Sequence, residues 1–570
     1  MSERRIGVYV CHCGGNISDY VDCEQVRDQV AGEDGVEIAK TTMFACSDAA
    51  QQEMIDDIRT SELDGIVIAS CSPTLHMQTF RGVAERAGLN PYEYVQVNLR
   101  EQCSWAHTDL PTLATNKAVA MTRAGIAKAR YTEPLEKTRI DTVPRALVIG
   151  AGITGLRAAL ALSDLGISAF VVEQAERVGG WVGGFGKMYP HDRAGNELVE
   201  ELVRDIDARD NITVYTSAEL VEKSGNIGDF MVTLAVAGER ISLNVGAIIV
   251  ATGFDVYQPA PGEYGFGSDR VLTLPDFRKL LDASEGPLEH LGRPIRSVAY
   301  IYCVGDRCEQ GGHGYCSRYC CNAVMHASLL AHEQSPGLHQ YHLYRDIRTY
   351  GKYESLFQQA RQKGSVFIKF DAADPPRVDL RNGSCRVTVK DILTDGKELA
   401  LNSDLVVLVT AMEPRGNDAL NDVLKLPVGL DGFYLEIHPK LRPVETVIDG
   451  VFIAGTAQAP RNSTESVASA LAATAKSAAL LKKGYVELEP LIATVDPDLC
   501  VWCDQCVSAC LYGSIEKVNL EGKEVAAVNE AICKGSGACV PACPEGAIQL
   551  RGSTDQQIRA MIEALGSIYV

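Results

Sequence analysis

The 570-residue sequence has no run of basic residues, no long apolar stretch and none of the short motifs that mark hydrolytic enzymes. Each absence excludes something. With 54 Lys and Arg against 74 Asp and Glu, the formal net charge is −20. A nucleic-acid or acidic-membrane partner would need a concentrated basic surface, which this balance argues against. The opening MSERRIGVYVCHCGG holds an apolar run too brief for a signal peptide or a membrane span, so a cytoplasmic location without direct membrane insertion is expected. No Ser-His-Asp set, HExxH or phosphate-binding P-loop is found, which disfavours hydrolysis. Cysteine, by contrast, is abundant at nineteen residues. Thiols of a cytosolic chain stay reduced, so metal or redox chemistry accounts for them better than disulfides. The length exceeds what one core usually holds and implies several domains.

The cysteines fall into groups: Cys11, Cys13, Cys23, Cys46, Cys71 and Cys103; then Cys303, Cys308, Cys316, Cys320 and Cys321; a lone Cys385 in the strand-like SCRVTV; and seven between Cys500 and Cys543. Between the first two groups lies RALVIGAGITGLRAALALSDLG, followed by ISAFVVEQ. An apolar strand enters Gly150, Gly152 and Gly155 around Ile153 and Thr154, a helix follows, and Glu173 ends the next strand where a ribose-binding carboxylate stands in dinucleotide folds. Pyrophosphate would lie on the helix N-terminus, where free N–H groups and the helix dipole favour an anion.

Three further pieces follow: ERVGGWVGG with Gly179 and Gly180, GAIIVATGF with Thr252 and Gly253, and GVFIAGTAQAPRNSTESVASALAATAKSAALL with Gly455, Thr456 and Ser466. Together the four resemble the two-dinucleotide-domain flavoproteins of the thioredoxin-reductase and glutathione-reductase group. The resemblance implies FAD, with the adenosine near Gly150 to Gly155 and Glu173 and the ring near the last helix. Lys187 could stand near that ring and stabilise its reduced form, or be a solvated surface lysine. Thr456 stands where such flavoproteins carry Asp, and the second GxGxxG, for a nicotinamide cofactor, is missing. In its place the strand Val298 to Tyr302 opens into CVGDRCEQGGHGYCSRYCC. Direct oxidation of NAD(P)H by this chain alone is therefore not expected.

Cys303, Cys316, Cys320 and Cys321 form C-x12-C-x3-C-C, with Cys308 a fifth thiol in the loop. Zinc is the competing occupant. A neighbouring flavin favours an electron-carrying iron–sulfur cluster. The nearby His313, like His76 and His107, reads as an ordinary polar residue. The motifs CVGDR, YCSRYCC and AGTAQAP, joined to VYVCHCGGNI, MFACSD, IASCSPTLHMQTFRGVAERAGLNPY and NLREQCSW, resemble the A-subunit of heterodisulfide reductase and its relatives over nearly the whole chain. That resemblance implies an iron–sulfur flavoprotein at the hub of an electron-transfer complex, some members of which bifurcate electrons. It points to a cluster held by Cys11, Cys13, Cys46 and Cys71, in preference to Cys23 and Cys103. From the residues alone, Cys11 and Cys71 each follow an apolar strand whose ends a parallel sheet would bring to one edge, and buried structural cysteines are the alternative. Longer relatives carry a ferredoxin-like insert; here no cysteine occurs from Tyr189 to Gly253, so a bifurcating chain would need a partner to supply that branch.

The C-terminal run DPDLCVWCDQCVSACLYGSIEKV and then AICKGSGACVPACPEGAIQL is a pseudo-repeat of the bacterial two-cluster ferredoxin pattern, in which the fourth cysteine of each run crosses to the other cluster. One [4Fe-4S] site is complete: Cys500, Cys503, Cys506 and Cys543. The other has Cys510, Cys533 and Cys539, with Ser536 at its fourth corner. A serine hydroxyl is far harder to deprotonate than a thiol, and the thiolate is the ligand form. A [3Fe-4S] cluster is favoured over a cubane with an oxygen or outside ligand and over an empty site. Leu511, where the usual run has Pro, concerns only the local turn.

The expected architecture is multidomain α/β: an N-terminal α/β iron–sulfur domain (1–140), the FAD-binding Rossmann-like domain in two parts (141–290 and 441–490), a thioredoxin-reductase-like middle domain with the cysteine loop (291–440), and a two-cluster ferredoxin-like domain (491–570). The expected function is an FAD and iron–sulfur electron-transfer subunit, working with other subunits of a heterodisulfide-reductase-like complex and a ferredoxin or hydrogenase/dehydrogenase-type donor, as a hetero-oligomer or a dimer of one. The alternatives are a quinone-linked subunit with a membrane partner and a non-catalytic redox-sensing scaffold.

Overall fold

The computed structural model describes residues 4–308, 313–381 and 383–566. The chain divides into two compact units, Met1–Arg139 with Glu487–Val570, and Ile140–Val486. Among the described residues no helix is long and apolar enough to cross a membrane.

In the first unit, four parallel strands lie in the order Val36–Thr42, Ile6–Cys11, Gly65–Ser70, Tyr94–Asn98. The two central strands, IGVYVC and GIVIAS, are buried along their whole length, as uninterrupted apolar strands must be when helices cover both faces. Helices Cys23–Val30, Asp48–Thr60 and Pro73–Ala87 begin at Asp22, Ser47 and Ser72, whose side chains each accept a backbone N–H of the first turn. Strand order reverses between Ile6–Cys11 and Gly65–Ser70, so the chains leave that sheet edge in opposite directions and open a crevice between the two strand ends. Near the C-terminus of the unit, strands Ala493–Val495 and Ile548–Leu550 pair antiparallel, as do Ile515–Leu520 and Lys523–Val528. Two short helices, Gln505–Ala509 and Cys539–Ala542, repeat one another, and Cys500, Cys506 and Cys539 share a small core with Val525, Ala526 and Ile548.

The second unit holds two parallel five-stranded sheets. The first runs Ile212–Tyr215, Ser168–Val172, Arg145–Ile149, Ala247–Val250, Val451–Ile453. The second runs Val271–Thr273, Leu405–Thr410, Ser297–Val304, His339–Tyr344, Val366–Lys369. The second sheet thus begins at Val271, ahead of residue 291. After completing it the chain returns to the first sheet, adding Val451–Ile453 and the helix Ser463–Lys483. Ala470, Ala473 and Ala478 of that helix share the core of the glycine-loop helix, Ile153–Asp164. Their small side chains are what allow two helices to lie close.

Candidate redox site

The glycine loop is shaped by contact. Gly150 has φ +104°, and a Cβ there would stand 2.4 Å from the Ala251 carbonyl oxygen. A Cβ on Gly155 would stand 1.8 Å from the Gly150 carbonyl oxygen, so only glycine lets the helix start there. At Gly152 a Cβ would meet no protein atom within 4 Å. That position therefore borders open space, as expected where a pyrophosphate approaches the backbone.

From this loop a cleft runs along the second unit, enclosing about 2140 Å³ of unfilled space with its open mouth included. Gly150, Gly152, Ile153, Thr154, Glu173, Gly179, Gly180, Lys187, Thr252, Gly253, Thr456 and Ser466 all line it. Gly155 and Gly455 do not. Gly455, at φ +68°, packs against Thr154, so both glycines act on backbone packing rather than on the wall. The Glu173 carboxylate accepts the N–H groups of Ala151 at 2.7 Å and Ala175 at 2.9 Å, which holds it beside the loop. At the far end the wall is aromatic and cationic, with Tyr189, Tyr319, Tyr353, His326, Arg278 and Arg461. The helix Ser463–Lys483 also starts there, under a capping box between Asn462 and Glu465. None of these six was singled out from sequence. Tyr319 caps the helix that carries His326, but Tyr189, Arg278, Tyr353 and Arg461 lie on separate segments, and only folding assembles the group. Asn322, 5% exposed, also lines the cleft, and neither of its amide atoms has a partner. An orphaned buried amide at a cleft wall fits a polar ligand edge.

The cysteine loop follows the central strand of the second sheet, the place where a nucleotide phosphate would sit in a dinucleotide fold. Cys303 is the next-to-last residue of that strand, at φ +59°. Cys320 and Cys321 open the helix Cys320–Gln334, whose Asn322, Ala323, His326 and Ala327 form part of the cleft wall. Cys303, Cys320 and Cys321 lie within electrostatic range of one another. A hydrogen bond shared by the adjacent pair, with burial, pushes the Cys320 thiol well up, and the same bond brings Cys321 down, helped by Arg348 and Arg307. Burial also raises Cys303, against the pull of Arg345. The Cys316 sulfur accepts the Arg318 N–H at 3.4 Å. Cys308 turns toward the Asp306 carbonyl, and His313 pairs with Glu413 at 2.7 Å, so neither joins the three. Among the described residues no three His, Cys, Asp or Glu side chains converge closely enough for one ion.

In the first unit Cys11 ends its strand and Cys71 follows the neighbouring one, at the crevice. Cys11 lies within electrostatic range of Cys13, Cys46 and Cys71, Cys13 also of Cys71, and Cys23 of Cys11 alone among these thiols. The Cys11 sulfur accepts the N–H groups of Cys13 and Ala45, each at 3.3 Å, and Arg100 Nη1 stands 3.5 Å from the Cys13 sulfur. Burial raises the Cys71 thiol to about 11, with Arg100 opposing. Cys103 lies apart, fully buried with its sulfur 3.5 Å from that of Met121. Cys23 is buried in the same core, and Cys385 in a strand of the second unit. Arg100 was not singled out from sequence, although a lone cation beside a cysteine within NLREQCSW is the signal that could have marked it.

The C-terminal repeat closes around two small cavities. Cys500, Cys503, Cys506 and Cys543 line one, with about 330 Å³ of unfilled space. Cys510, Cys533, Cys539 and Ser536 line the other, with about 290 Å³. Each is thus walled by thiols from both halves of the repeat. Backbone N–H groups point at sulfur, from Ala526 to Cys500 at 3.3 Å and from Ser514 to Cys510 at 3.5 Å. For Cys510 burial pushes upward but is outweighed by hydrogen bonds from Ser514, Tyr512 and Gly513, which hold the thiol below its ordinary value. Both donor sets fit iron–sulfur clusters, whose bridging sulfides spread the thiolates wider than one ion does.

A dinucleotide cleft one helical turn from a group of thiols defines the class as an oxidoreductase. Residues 148–194 match the NAD(P)-binding Rossmann-like domain model. The chain is 37% identical, over 90% of its length and 91% of the relative's, to the A-subunit of H(2):CoB-CoM heterodisulfide,ferredoxin reductase from Methanothermobacter thermautotrophicus. It is 35% identical, over 92% of each, to the second iron-sulfur A-subunit of CoB–CoM heterodisulfide reductase from Methanopyrus kandleri. Among solved structures, thioredoxin reductase of Lactococcus lactis aligns at 15% identity and a TM-score of 0.42, over 60% of this chain and 99% of that one. The chain belongs to the family of heterodisulfide reductase A-subunits.

Proposed function

We propose that this chain is the FAD and iron–sulfur electron-transfer subunit of a heterodisulfide-reductase-like complex. The observation that carries the reading is the helix Cys320–Gln334, which presents Cys320 and Cys321 at its start and Asn322 and His326 on the cleft wall. A metal centre on those thiols would stand within one helical turn of a flavin ring, so electrons would need no intermediate carrier. In this reading FAD lies in the cleft, with its adenosine half at Gly150 to Gly155 and Glu173 and its ring near Thr456 and Ser466. Clusters are held by Cys303, Cys316, Cys320 and Cys321; by Cys11, Cys13, Cys46 and Cys71; by Cys500, Cys503, Cys506 and Cys543; and by Cys510, Cys533 and Cys539 at the altered site. The relatives' names speak of an iron–sulfur subunit, of ferredoxin as a carrier that is reduced and, in the Methanosarcina mazei relative, of ferredoxin as the donor, which supports a ferredoxin-type carrier and partner subunits. The cofactors carry the redox chemistry when bound, and the chain supplies orientation and tuning.

An anaerobic reductive titration of the purified protein, followed optically for flavin and by electron paramagnetic resonance for clusters, tests this. Bound flavin that bleaches, with several distinct cluster signals, is expected. A protein isolated without flavin, or with cluster signals unchanged by Cys320→Ser, overturns the assignment. Bleaching in one two-electron step keeps bifurcation with a partner-supplied branch open. Two resolved one-electron steps make the chain a sequential relay.

A further inference from the structure

The flavin end of the cleft contains one imidazole with an unusually constrained proton. His326 lies mostly buried on the wall. Its Nδ1 stands 3.4 Å from Nη1 of Arg278. A guanidinium can only donate, so Nδ1 carries the lone pair and the hydrogen is on Nε2, which stands 3.8 Å from the Asp192 carboxylate. Tyr189 meets the imidazole edge-on, with ring centres 6.2 Å apart. Arg278 is itself anchored, donating to Asp282 at 3.0 Å and to the Lys187 carbonyl. The contact to Nδ1 is the weakest of its bonds and can be given up without freeing the side chain.

We propose that His326 is a redox-linked proton site, neutral while the flavin is oxidised and protonated at Nδ1 when the flavin is reduced. The proposal rests on the FAD reading above. Two electrons from an iron–sulfur donor, or from dithionite in the test, reach the ring with one proton on a ring nitrogen, leaving one net negative charge there. A second proton from solvent then enters at Nδ1, displacing the Arg278 contact. Both leave on reoxidation, so electrons and protons balance at two each.

The charges facing His326 make it responsive. Burial is the main influence holding it neutral, followed by Arg278 from the helix Leu274–Ala283, while Asp192 from the turn between Lys187–Met188 and Arg193–Ala194 and Asp282 behind Arg278 pull the other way. The balance brings the imidazole down to about 4. Lys187 at the cleft mouth is exposed, and on the histidine's own helix Cys320 and Cys321 lie more than a turn away. A new negative charge beside a buried imidazole raises its pKa by roughly 1–3 pH units. Protonation on reduction is therefore expected in a window that opens just above pH 4 and closes between about pH 5 and 7.

The test is the flavin midpoint potential of the purified native protein against pH, with the absorption spectrum of the reduced form recorded alongside. Native protein is expected to take up two protons per two electrons inside the window, and His326→Gln one, so that its slope halves there. Arg278→Gln, which removes the cation, is expected to move the steep region to higher pH, and it decides the question should His326→Gln fail to fold or to retain flavin. Equal slopes in native protein and His326→Gln, or an Arg278→Gln profile that does not move, overturn the proposal. A native protein without flavin absorbance overturns the FAD reading itself, and this inference with it.

Discussion

Ser536 shows how one atom changes a site that is otherwise intact. Its side chain lines the same cavity as Cys510, Cys533 and Cys539, so the fold keeps the fourth corner while the ligand there is a hydroxyl. Ser536→Cys supplies the missing thiolate, and iron content is expected to rise by about one per chain as a three-iron signature gives way to that of a cubane. Iron analysis with electron paramagnetic resonance of the oxidised protein checks this; unchanged iron would mean either that native protein already fills the corner or that the site is empty in both, and the cluster signal tells these apart. Residues of this kind were legible because cysteine spacing survives in the linear chain. His326, Arg278 and Asn322 were not, because each is one ordinary polar residue until the helices Leu274–Ala283 and Cys320–Gln334 meet at the cleft.

Elements transmit these requirements through packing. The helix Ile153–Asp164 can start where it does only because Gly155 has no side chain to strike the Gly150 carbonyl. Gly155→Ala is expected to spread the loop and lower the flavin-to-protein ratio of purified material at least severalfold, read from the absorbance ratio. In the second sheet His342 is fully buried, stacked between Tyr300 at 4.7 Å and Phe367 at 4.6 Å, with Tyr302 and Ser328 bonded to its two nitrogens. Burial brings it down to about 3. An unfolded chain, with histidine near 6.5, then binds more protons than the folded one between those values. Stability of this unit should rise with pH from about 3 to about 6.5, by roughly 1.4 kcal/mol per pH unit from this group, and level off above. Thermal unfolding at pH 5.5 and 7.5 checks it, with a smaller difference expected for His342→Phe. The strand pattern of YIYCV announced a buried strand. That the next strand would place a histidine inside the same core could not be read from HQYHLY, whose alternation suits a half-exposed strand equally well.

For the whole molecule, the division into two units separates the chemistry. The cleft with Cys303, Cys320 and Cys321 belongs to Ile140–Val486, while the Cys11 group and the C-terminal cavities belong to the other unit. Each has its own apolar core. Cys11→Ser is therefore expected to remove iron equivalent to about one cluster while leaving the flavin ratio unchanged; a parallel loss of flavin would show that the units do not fold independently. Glycine spacing, alternating thiols and uninterrupted apolar strands determined from sequence alone that the protein has a dinucleotide fold and several thiol sites, because those constraints act between residues close in the chain. Tertiary structure decided the rest: which thiols come near one another, that Gly155 and Gly455 support the loop rather than line the cleft, and which imidazole lines that cleft. Those outcomes depend on strand order and on the chain's late return to its first sheet, and contacts across such distances leave no period in the sequence to read.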